Sequence, residues 1–308
     1  MRVISFAHMS IPTFSVIIPT FERPQKLKRC LEAVTKLNYP SNKFEIIVVN
    51  DGGETFSNEL LSSFKEDINL TILHPPHLGL AGARNFGAQK AKNDFLAFID
   101  DDCEPEVNWL NDLSSQFNLT PNYLLGGRTV NALQTNIFSE TSQMLVDYLY
   151  DYAAKSNPNF AFFTGNNLAL ARTGFFSIRG FDQTFPVAAG EDRDFCCRWL
   201  ESKGEIYLLN AAVVRHYHKL SLKSLWRQHF NYGQGSYYFR RQRAKRLQQT
   251  VKVEPFSFYF RMFLFPFYQT SIWRGCPIAF LFFVVQCANT LGFLWGSLAY
   301  PKNLLKYA

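Results

Sequence analysis

The sequence predicts an α/β fold with a mostly parallel central sheet, followed by hydrophobic helices at the C-terminal end. Short apolar runs alternate with helix-forming segments in the first hundred residues, as is typical of parallel sheets. One of these runs, Phe95–Ile99, is followed at once by the carboxylates of Asp100, Asp101 and Asp102. Because open α/β sheets bind ligands at the carboxyl ends of their strands, these acids form the first candidate site.

Four apolar runs are predicted to be strands of this sheet. They cover residues 14–20, 44–49, 70–73 and 95–99. Pro24 opens a helix after the first run, at a position where its missing N–H does no harm. The second run ends in Asn50-Asp51-Gly52-Gly53, whose glycines allow a tight turn with the backbone close to a ligand. Small residues and one arginine, Arg84, open another helix over residues 79–87.

The three adjacent carboxylates predict either a divalent-cation site or an acidic turn in solvent. Acids stacked at a strand end repel one another, and unpaired buried charge is costly. A divalent cation relieves that repulsion, and oxygen ligands suit Mg²⁺ or Mn²⁺. A solvated loop is the ordinary alternative for such a charge run. The residues alone leave both interpretations open.

Composition sets further limits on the class of protein. A length of 308 residues allows one large domain plus an appendage, and 47% hydrophobic residues supply ample material for a core. The six cysteines form no C-x-x-C pair, so neither a zinc site nor a disulfide framework is indicated. Reduced thiols in a domain that faces the cytosol are therefore expected, and the first ten residues lack the apolar region of a signal peptide.

Positive charge is concentrated just before the most apolar part of the chain. The basic run comprises Arg240, Arg241, Arg243, Lys245, Arg246 and Lys252. Nucleic-acid binding is one interpretation of such a run, but the apolar sequence after it argues against this. Residues 275–300 carry no charge and, at about 1.5 Å per residue, are long enough to cross a hydrocarbon core of about 30 Å. Basic residues beside a membrane segment are typical of the cytoplasmic side.

These patterns predict three segments. They are an α/β domain over residues 1–240, a basic juxtamembrane segment over 241–254, and amphipathic and membrane-associated helices over 255–308. Within the last segment, residues 256–267 are predicted to form an interfacial helix in the headgroup region. The alternative for both apolar stretches is packing as buried helices of a C-terminal subdomain. The predicted location is the cell membrane, with the α/β domain on the cytoplasmic face.

Six stretches, in order, resemble family 2 glycosyltransferases of the GT-A fold. They are FSVIIPTFERP, IIVVNDGG, GLAGARNFGAQKAKNDFLAFIDDDCEP, TGNNLALAR, GFDQTF and GEDRDFCCRWLESKG, within residues 14–218. No single stretch is decisive, whereas the ordered set is highly specific. The resemblance implies a nucleotide-sugar donor, Mg²⁺ or Mn²⁺ as cofactor, and transfer with inversion at the anomeric carbon.

The resemblance also implies donor-binding residues at the strand ends. Asp51 matches the acid that contacts the nucleotide base, and Thr20 and Glu22 match positions beside the nucleoside. Arg84 is expected to touch a phosphate or to tie its loop to the acidic strand end. An ordinary Asp-Gly turn is the alternative interpretation of Asp51.

The resemblance implies a metal site that combines acids with histidines. Asp100 and Asp102 match the outer acids of a D-x-D element, with Asp102 as metal ligand and Asp100 facing the ribose or a metal-bound water. Asp101 is assigned to the donor site as a solvated or structural acid. His216 and His218 match a histidine that completes the metal shell or contacts the diphosphate, and their spacing places both on one face of a strand. Surface histidines are the alternative.

Asp192 is implied as the catalytic base. It follows Glu191, which is assigned to the donor site, at the start of a predicted helix. A carboxylate within hydrogen-bond reach of an acceptor hydroxyl takes its proton as the hydroxyl attacks the anomeric carbon. Stabilisation of the helix N-terminus is the alternative role for both acids.

The predicted function is metal-dependent, inverting transfer of a single sugar to a lipid-linked glycan or a precursor of a cell-surface polysaccharide. Residues 226–228 do not form the Q-x-x-R-W pattern of processive synthases, which favours transfer of one sugar. Two alternatives remain, a nucleotidyltransferase and an inactive membrane-bound scaffold. The expected partners are a nucleotide-sugar donor, a glycan or lipid-linked acceptor and the membrane, with no nucleic acid.

Overall fold

The computed structural model describes residues 11–53, 64, 69–156, 162–248 and 254–300. The chain divides into two compact units. The first comprises Met1–Thr129, Thr164–Gly180 and Trp199–Arg215, and the second comprises Val130–Phe163, Phe181–Arg198 and His216–Ala308. Lys252 and the predicted membrane-associated residues 301–308 lie outside the described residues.

The first unit contains an eight-stranded sheet. Its strands are β1 (Phe14–Thr20), β2 (Phe44–Asn50), β3 (Leu70–Leu73), β4 (Phe95–Ile99), β5 (Cys103–Pro105), β6 (Leu124–Asn131), β7 (Asn167–Ala171) and β8 (Ile206–His216). The order across the sheet is β3-β2-β1-β4-β7-β6-β8-β5. The four predicted strands form its parallel part, whereas β7 is antiparallel to β4 and β6. The fold is therefore mixed α/β, with a sheet that is parallel over its first four strands.

Helices cover both units of the described chain. They are α1 (Pro24–Val34), α2 (Gly79–Lys90), α3 (Trp109–Leu119), α4 (Ile137–Ser156), α5 (Arg172–Ser177), α6 (Glu191–Glu201), α7 (Leu222–Leu247), α8 (Phe256–Gln269) and α9 (Ile272–Ala299). Pro24 occupies the first turn of α1, as predicted. The predicted domain boundary at residue 240 falls inside α7, which is continuous.

The core of the first unit supports the strand ends that carry the candidate site. Because side chains alternate along a strand, Phe14, Val16 and Ile18 of β1 point to one face of the sheet. There they join Leu27 of α1 and Trp109 of α3 in one buried cluster. Packing of this kind holds the carboxyl ends of β1, β2 and β4 in a fixed arrangement.

Asn167 explains how the antiparallel strand β7 is held in the sheet. Its side chain accepts a hydrogen bond from Trp109 Nε1 at 3.0 Å and donates one to the carbonyl oxygen of Ala212 at 3.0 Å. A Cβ atom at Gly127 would lie 2.2 Å from Asn167 Nδ2, so only glycine leaves room there. This buried amide therefore links helix α3 to strands β7 and β8.

The second unit is mainly helical, and its apolar cluster brings α4, α7, α8 and α9 together. Buried members include Tyr148 of α4, Leu225 of α7, Met262 of α8 and Phe282 of α9. The Tyr148 hydroxyl donates to the carbonyl oxygen of Phe258 at 2.5 Å. Within the part of the chain that the structure describes, α9 is the one helix whose length and composition suit a membrane crossing, and about a third of its most apolar window is buried.

Candidate active site

In the first unit, the carboxyl ends of the parallel strands bring several predicted residues to one edge of the sheet. Thr20 ends β1, Asp51 follows β2, and Asp100 follows β4. Since β1 lies between β2 and β4, these residues emerge side by side. Thr20 Oγ1 donates a hydrogen bond to Asp101 Oδ2 at 2.7 Å, which joins the ends of β1 and β4 directly.

The acids after β4 carry concentrated negative charge in a buried place. Asp101 is 3% exposed and Asp102 6%, so the solvated interpretation of Asp101 is wrong and the structural one remains. Burial and then the charge of Asp102 raise the pKa of Asp101 to about 6, against the opposing hydrogen bond from Thr20. Two cations offset the charge, with Lys26 Nζ 3.0 Å from Asp102 Oδ2 and Arg23 Nη1 3.4 Å from Asp101 Oδ1.

Arg84 ties helix α2 to the acidic strand end. Its side chain is buried, and its Nη2 lies 2.8 Å from Asp100 Oδ1. A Cβ atom at Gly165 would lie 2.6 Å from Arg84 Cζ, so glycine at that position makes room for the guanidinium. The ion pair is one of the two roles that the sequence left open for Arg84, and it fixes the orientation of Asp100.

Asp51 organises the loop that precedes α2. Its Oδ1 accepts a hydrogen bond from Leu78 N at 2.6 Å, and its Oδ2 lies 3.1 Å from His77 Nδ1. Gly52 follows with a φ of 107°, a conformation that favours glycine. Glu22, in the turn after β1, is exposed and adopts a left-handed φ of 53°. The buried carboxylate of Asp51 thus ties the end of β2 to the loop at His77 and Leu78.

In the second unit, Asp192 lies in the first turn of α6. Gly190, just before this helix, has a φ of 89°, and a Cβ atom there would lie 3.2 Å from the carbonyl oxygen of Gly235 in α7. Asp192 is half-buried, and its Oδ1 accepts a hydrogen bond from Arg193 N at 2.7 Å. Glu191 is 4% exposed. The two acids therefore differ in their access to solvent although they are adjacent in sequence.

Two arginine arrangements hold α6 in place, and the sequence interpretation missed both. Asp194 is fully buried and lies 2.7 Å from both Arg198 Nε and Arg246 Nη1. The Arg193 guanidinium lies over the rings of Phe162 and Phe239, 5.4 and 5.0 Å from their centroids. Burial and then Arg240 lower the pKa of Arg193 to about 9, so it stays a cation at neutral pH.

His216 and His218 occupy different local structures. His216 is the last residue of β8, whereas His218 lies beyond the strand, so the prediction that both lie on one face of a strand is wrong. Their ring centroids are nevertheless 5.0 Å apart. The backbone is fixed on both sides, since Ala132 N donates to the His216 carbonyl at 3.0 Å and Ser139 Oγ donates to the His218 carbonyl at 2.5 Å.

The sequence contains signals for some of the residues that the sequence interpretation missed, but not for all of them. The spacing of Asp194 and Arg198, four residues apart in a helix, is the one expected of an ion pair. Lys26 lies in the first turn of α1, the helix that follows the first predicted strand. Arg246 had no local signal, because its partner Asp194 is 52 residues away. In the sequence, Arg246 belongs to the basic run that predicts a juxtamembrane segment.

Comparisons with known proteins show which proteins this chain resembles. The model of the family "Glycosyl transferase family 2" matches residues 15–179. The glycosyltransferase AglE of Haloferax volcanii is 36% identical over 120 residues, covering 38% of this chain and 40% of AglE. The probable glycosyltransferase YdaM of Bacillus subtilis is 25% identical over 277 residues, covering 83% of this chain and 64% of YdaM. This chain thus spans less than two thirds of either relative.

A solved structure shows the same fold over nearly the whole chain. The mannosyltransferase PcManGT from Pyrobaculum calidifontis, in complex with GDP-Man and Mn²⁺, superposes with a TM-score of 0.61 at 15% identity. The match covers 96% of this chain and 82% of PcManGT. The family match covers more than half of the chain, and it includes the acids at the ends of β2 and β4. The chain therefore belongs to glycosyl transferase family 2.

Proposed function

We propose that this enzyme transfers a single sugar from a nucleoside diphosphate sugar to a hydroxyl acceptor, with inversion at the anomeric carbon. The observation that carries the proposal is the set of acids at one edge of the parallel strands, with buried Asp51 after β2 and half-buried Asp100 followed by buried Asp101 and Asp102 after β4. Ligands of open α/β sheets bind at this edge. The structural relative PcManGT holds GDP-Man in its complex.

We assign the donor to the first-unit residues. Asp51 would accept hydrogen bonds from the nucleotide base, with Thr20 and Glu22 beside the nucleoside. Asp100, which Arg84 holds at 2.8 Å, would contact the ribose. Asp101 would keep Thr20 and Asp102 in place from its buried position, and Glu191 would complete the donor site from α6.

The acidic residues fit a divalent cation, Mg²⁺ or Mn²⁺. Burial and then the charge of Asp102 raise the pKa of Asp101, although Lys26 and Arg23 lie beside these acids. Carboxylate oxygen and imidazole nitrogen are ligands that these metals accept. Asp102, His216 and His218 would hold the ion, which would neutralise charge on the departing diphosphate. PcManGT, similar in fold, is in complex with Mn²⁺.

Asp192 would act as the general base toward the acceptor hydroxyl. Its carboxylate is half-buried at the start of α6, so part of it stays accessible to a substrate. Asp194 cannot take this role, because its two oxygens are each bound to an arginine and it is fully buried. One base opposite the leaving diphosphate is sufficient for a single displacement with inversion.

We further propose that the acceptor is a lipid-linked glycan or a polysaccharide precursor at the cytoplasmic face of the cell membrane. The long apolar helix α9 supports membrane association. An acceptor delivered in the membrane would then meet an enzyme already held there. The absence of the Q-x-x-R-W pattern supports transfer of one sugar per acceptor.

The test is a donor panel with a matched variant. Purified full-length protein is incubated with UDP-, GDP- and dTDP-sugars, an acceptor lipid extract and Mn²⁺, and the free nucleoside diphosphate is measured. We expect release with one donor, loss of release in Asp192→Asn, and an inverted anomeric centre in the product. Retention at that centre would overturn single displacement, and release of pyrophosphate would identify a nucleotidyltransferase. No turnover of any donor, together with no nucleotide binding, would indicate a scaffold.

A further inference from the structure

Helix α9 exposes an apolar stripe along its whole length. The exposed residues recur at three- and four-residue spacing. They are Ile272, Trp273, Phe280, Phe283, Leu291, Leu294, Trp295 and Leu298. Trp273 is 89% exposed and Leu298 76%. Trp273 and Trp295 are 22 residues apart, or roughly 33 Å along a helix. A contiguous apolar surface of this length marks a docking surface in a folded protein.

The opposite side of α9 packs against other helices of the second unit. A Cβ atom at Gly292 would lie 1.9 Å from the carbonyl oxygen of Phe230 in α7, and one at Gly233 would lie 2.1 Å from the carbonyl oxygen of Asn289. The backbones of α7 and α9 therefore touch, which requires glycine on both helices. Toward its other end, α9 buries Ile278 and Phe282 against α4 and α8.

Both ends of α9 are also tied to polar residues of the same unit. Near its start, Arg274 Nε donates to Glu140 Oε2 of α4 at 2.9 Å. At its end, Arg241 of α7 donates to the carbonyl oxygen of Tyr300 at 2.5 Å. A crossing orientation would carry the end of α9, and with it Arg240 and Arg241 of α7, across the hydrocarbon core, through which charged side chains pass only at high cost. An orientation parallel to the membrane surface leaves all these contacts intact.

The positive charge around α9 indicates that the exposed stripe faces an anionic surface. Residues 222–299 contain ten lysines and arginines and one acid, Glu254, a net charge of +9, of which Arg246 and Arg274 pair with acids outside this range, Asp194 and Glu140. The whole chain carries +7, so the rest of the protein is slightly negative. Helix α8, which packs on α9, adds exposed Phe256, Phe260 and Tyr268 and the exposed Arg261. Aromatic residues together with basic ones suit the interface of an anionic bilayer.

We propose that α8 and α9 dock in the plane of an anionic phospholipid surface, with the exposed stripe of α9 inserted among the headgroups and both ends of α9 on the same side of the bilayer. The proposal rests on the membrane association proposed above, and it replaces a transmembrane crossing with a one-sided attachment. The basic residues of α7 then lie near the headgroups without entering the hydrocarbon.

The first experiment measures lipid binding apart from sugar transfer. Full-length protein is mixed with preformed vesicles of phosphatidylcholine, with or without phosphatidylglycerol, and vesicles are floated through a density gradient. We expect stronger binding to the anionic vesicles, weakened by salt. Leu298→Asp should weaken binding at least about tenfold, because a leucine side chain leaves its apolar site. Leu119→Asp is the matched control, since Leu119 is also 76% exposed but lies on α3 of the first unit.

The second experiment determines the orientation. Ser271→Cys and Ser297→Cys, near the two ends of α9, are made separately in a background with Cys276→Ser and Cys287→Ser. Protein bound to the outside of sealed vesicles is treated with a membrane-impermeant maleimide, with the background protein as the blank. In-plane docking predicts labelling at both positions. Labelling at one position only means that α9 crosses the bilayer and overturns the proposal.

Three further outcomes would overturn the proposed docking on an anionic membrane surface. Equal binding to neutral and anionic vesicles would overturn the anionic surface as partner. Failure to bind either kind would overturn membrane docking, and a dimer in light scattering that Leu298→Asp converts to a monomer would identify a second copy as the occupant. Nucleotide binding, measured on the same samples by calorimetry, is expected to be equal in all variants. A loss of lipid binding is thus distinguishable from a failure of the transferase proposal.

Discussion

Arg246 Nη1, near the end of α7, lies 2.7 Å from Asp194 Oδ1, on the helix that carries Asp192. The same carboxylate lies 2.7 Å from Arg198 Nε through its other oxygen. Asp194 is fully buried, so both arginines are needed to compensate its charge. The pairing fixes α6 against α7, and it thereby sets the orientation of the first turn of α6. Part of the basic run therefore holds the proposed catalytic helix in place.

We predict that Arg246→Met destabilises the protein by about 3 to 5 kcal/mol, because it leaves one oxygen of a buried carboxylate without its cation. The measurement is the free energy of unfolding in urea. Lys155→Met is the matched control, since Lys155 pairs with Asp151 at 2.6 Å on the surface of α4. Loss of an exposed pair should cost at most about 1 kcal/mol. Equal effects of the two substitutions would contradict the role assigned to Asp194.

Substitutions of the two adjacent acids of α6 should affect different quantities, kcat for Asp192 and donor affinity for Glu191. Asp192→Asn keeps the shape and removes the base, so kcat should fall by roughly 100-fold or more with donor affinity unchanged. Glu191→Gln should instead weaken donor binding, because Glu191 is assigned to the donor site. Steady-state kinetics and calorimetric titration with the nucleoside diphosphate measure the two effects. If Asp192→Asn lowers nucleotide affinity and leaves kcat unchanged, Asp192 is not the base.

The metal assignment predicts linked losses of activity and of metal-induced stability. Asp102→Asn should lower transfer by roughly 100-fold or more, and it should remove the rise in Tm that Mn²⁺ produces in the parent by binding the folded state. EDTA should reproduce the loss of activity, and added Mn²⁺ or Mg²⁺ should restore it. Glu32→Gln, in an exposed ion pair of α1, should change neither quantity. Full activity in excess chelator would exclude the metal role.

A buried histidine predicts acid sensitivity of the second unit. His229 is 1% exposed, and neither ring nitrogen has a hydrogen-bond partner among the described residues. Burial and then the charge of His218 lower the pKa of His229 to about 3. Below its ordinary pKa of about 6.5 the unfolded chain binds a proton that the folded chain does not. Stability is therefore complete above that pH and falls as the pH drops toward 3, by at most about 5 kcal/mol.

The variant His229→Phe should remove this dependence and should equal or exceed the parent in stability at pH 7, because it fills the same space without a polar group. The free energy of unfolding in urea, measured at pH 7.5, 6.0 and 5.0 in EDTA, gives the slope for each protein. His74→Phe, at an exposed position of the first unit, is the control and should keep the parental slope. An unchanged slope in His229→Phe would show that the ring is hydrated in solution.

The sequence alone determined the parallel part of the sheet and the positions of its acids. Strands β1 to β4 can be predicted from the sequence because a buried strand is a short apolar run and because the helices between them have their own start signals. The acids after β4 were placed correctly because parallel neighbours end at the same edge of a sheet. The ordered stretches from Phe14 to His218 were sufficient for the family, which the comparisons confirm.

Only the tertiary structure decided which groups meet. Strand β7 reads as one more apolar run, and its antiparallel direction depends on contacts such as Asn167 with Trp109, 58 residues apart. Arg246 lies in a basic run whose composition suits binding to lipid headgroups as well as pairing with an acid. Its partner Asp194 comes within reach only when α6 and α7 are packed together. After Arg274, helix α9 carries no charged side chain, so its sequence does not reveal which side is buried. The glycine contacts with α7 decide that, because backbone-to-backbone packing depends on the position of a second helix that periodicity does not encode.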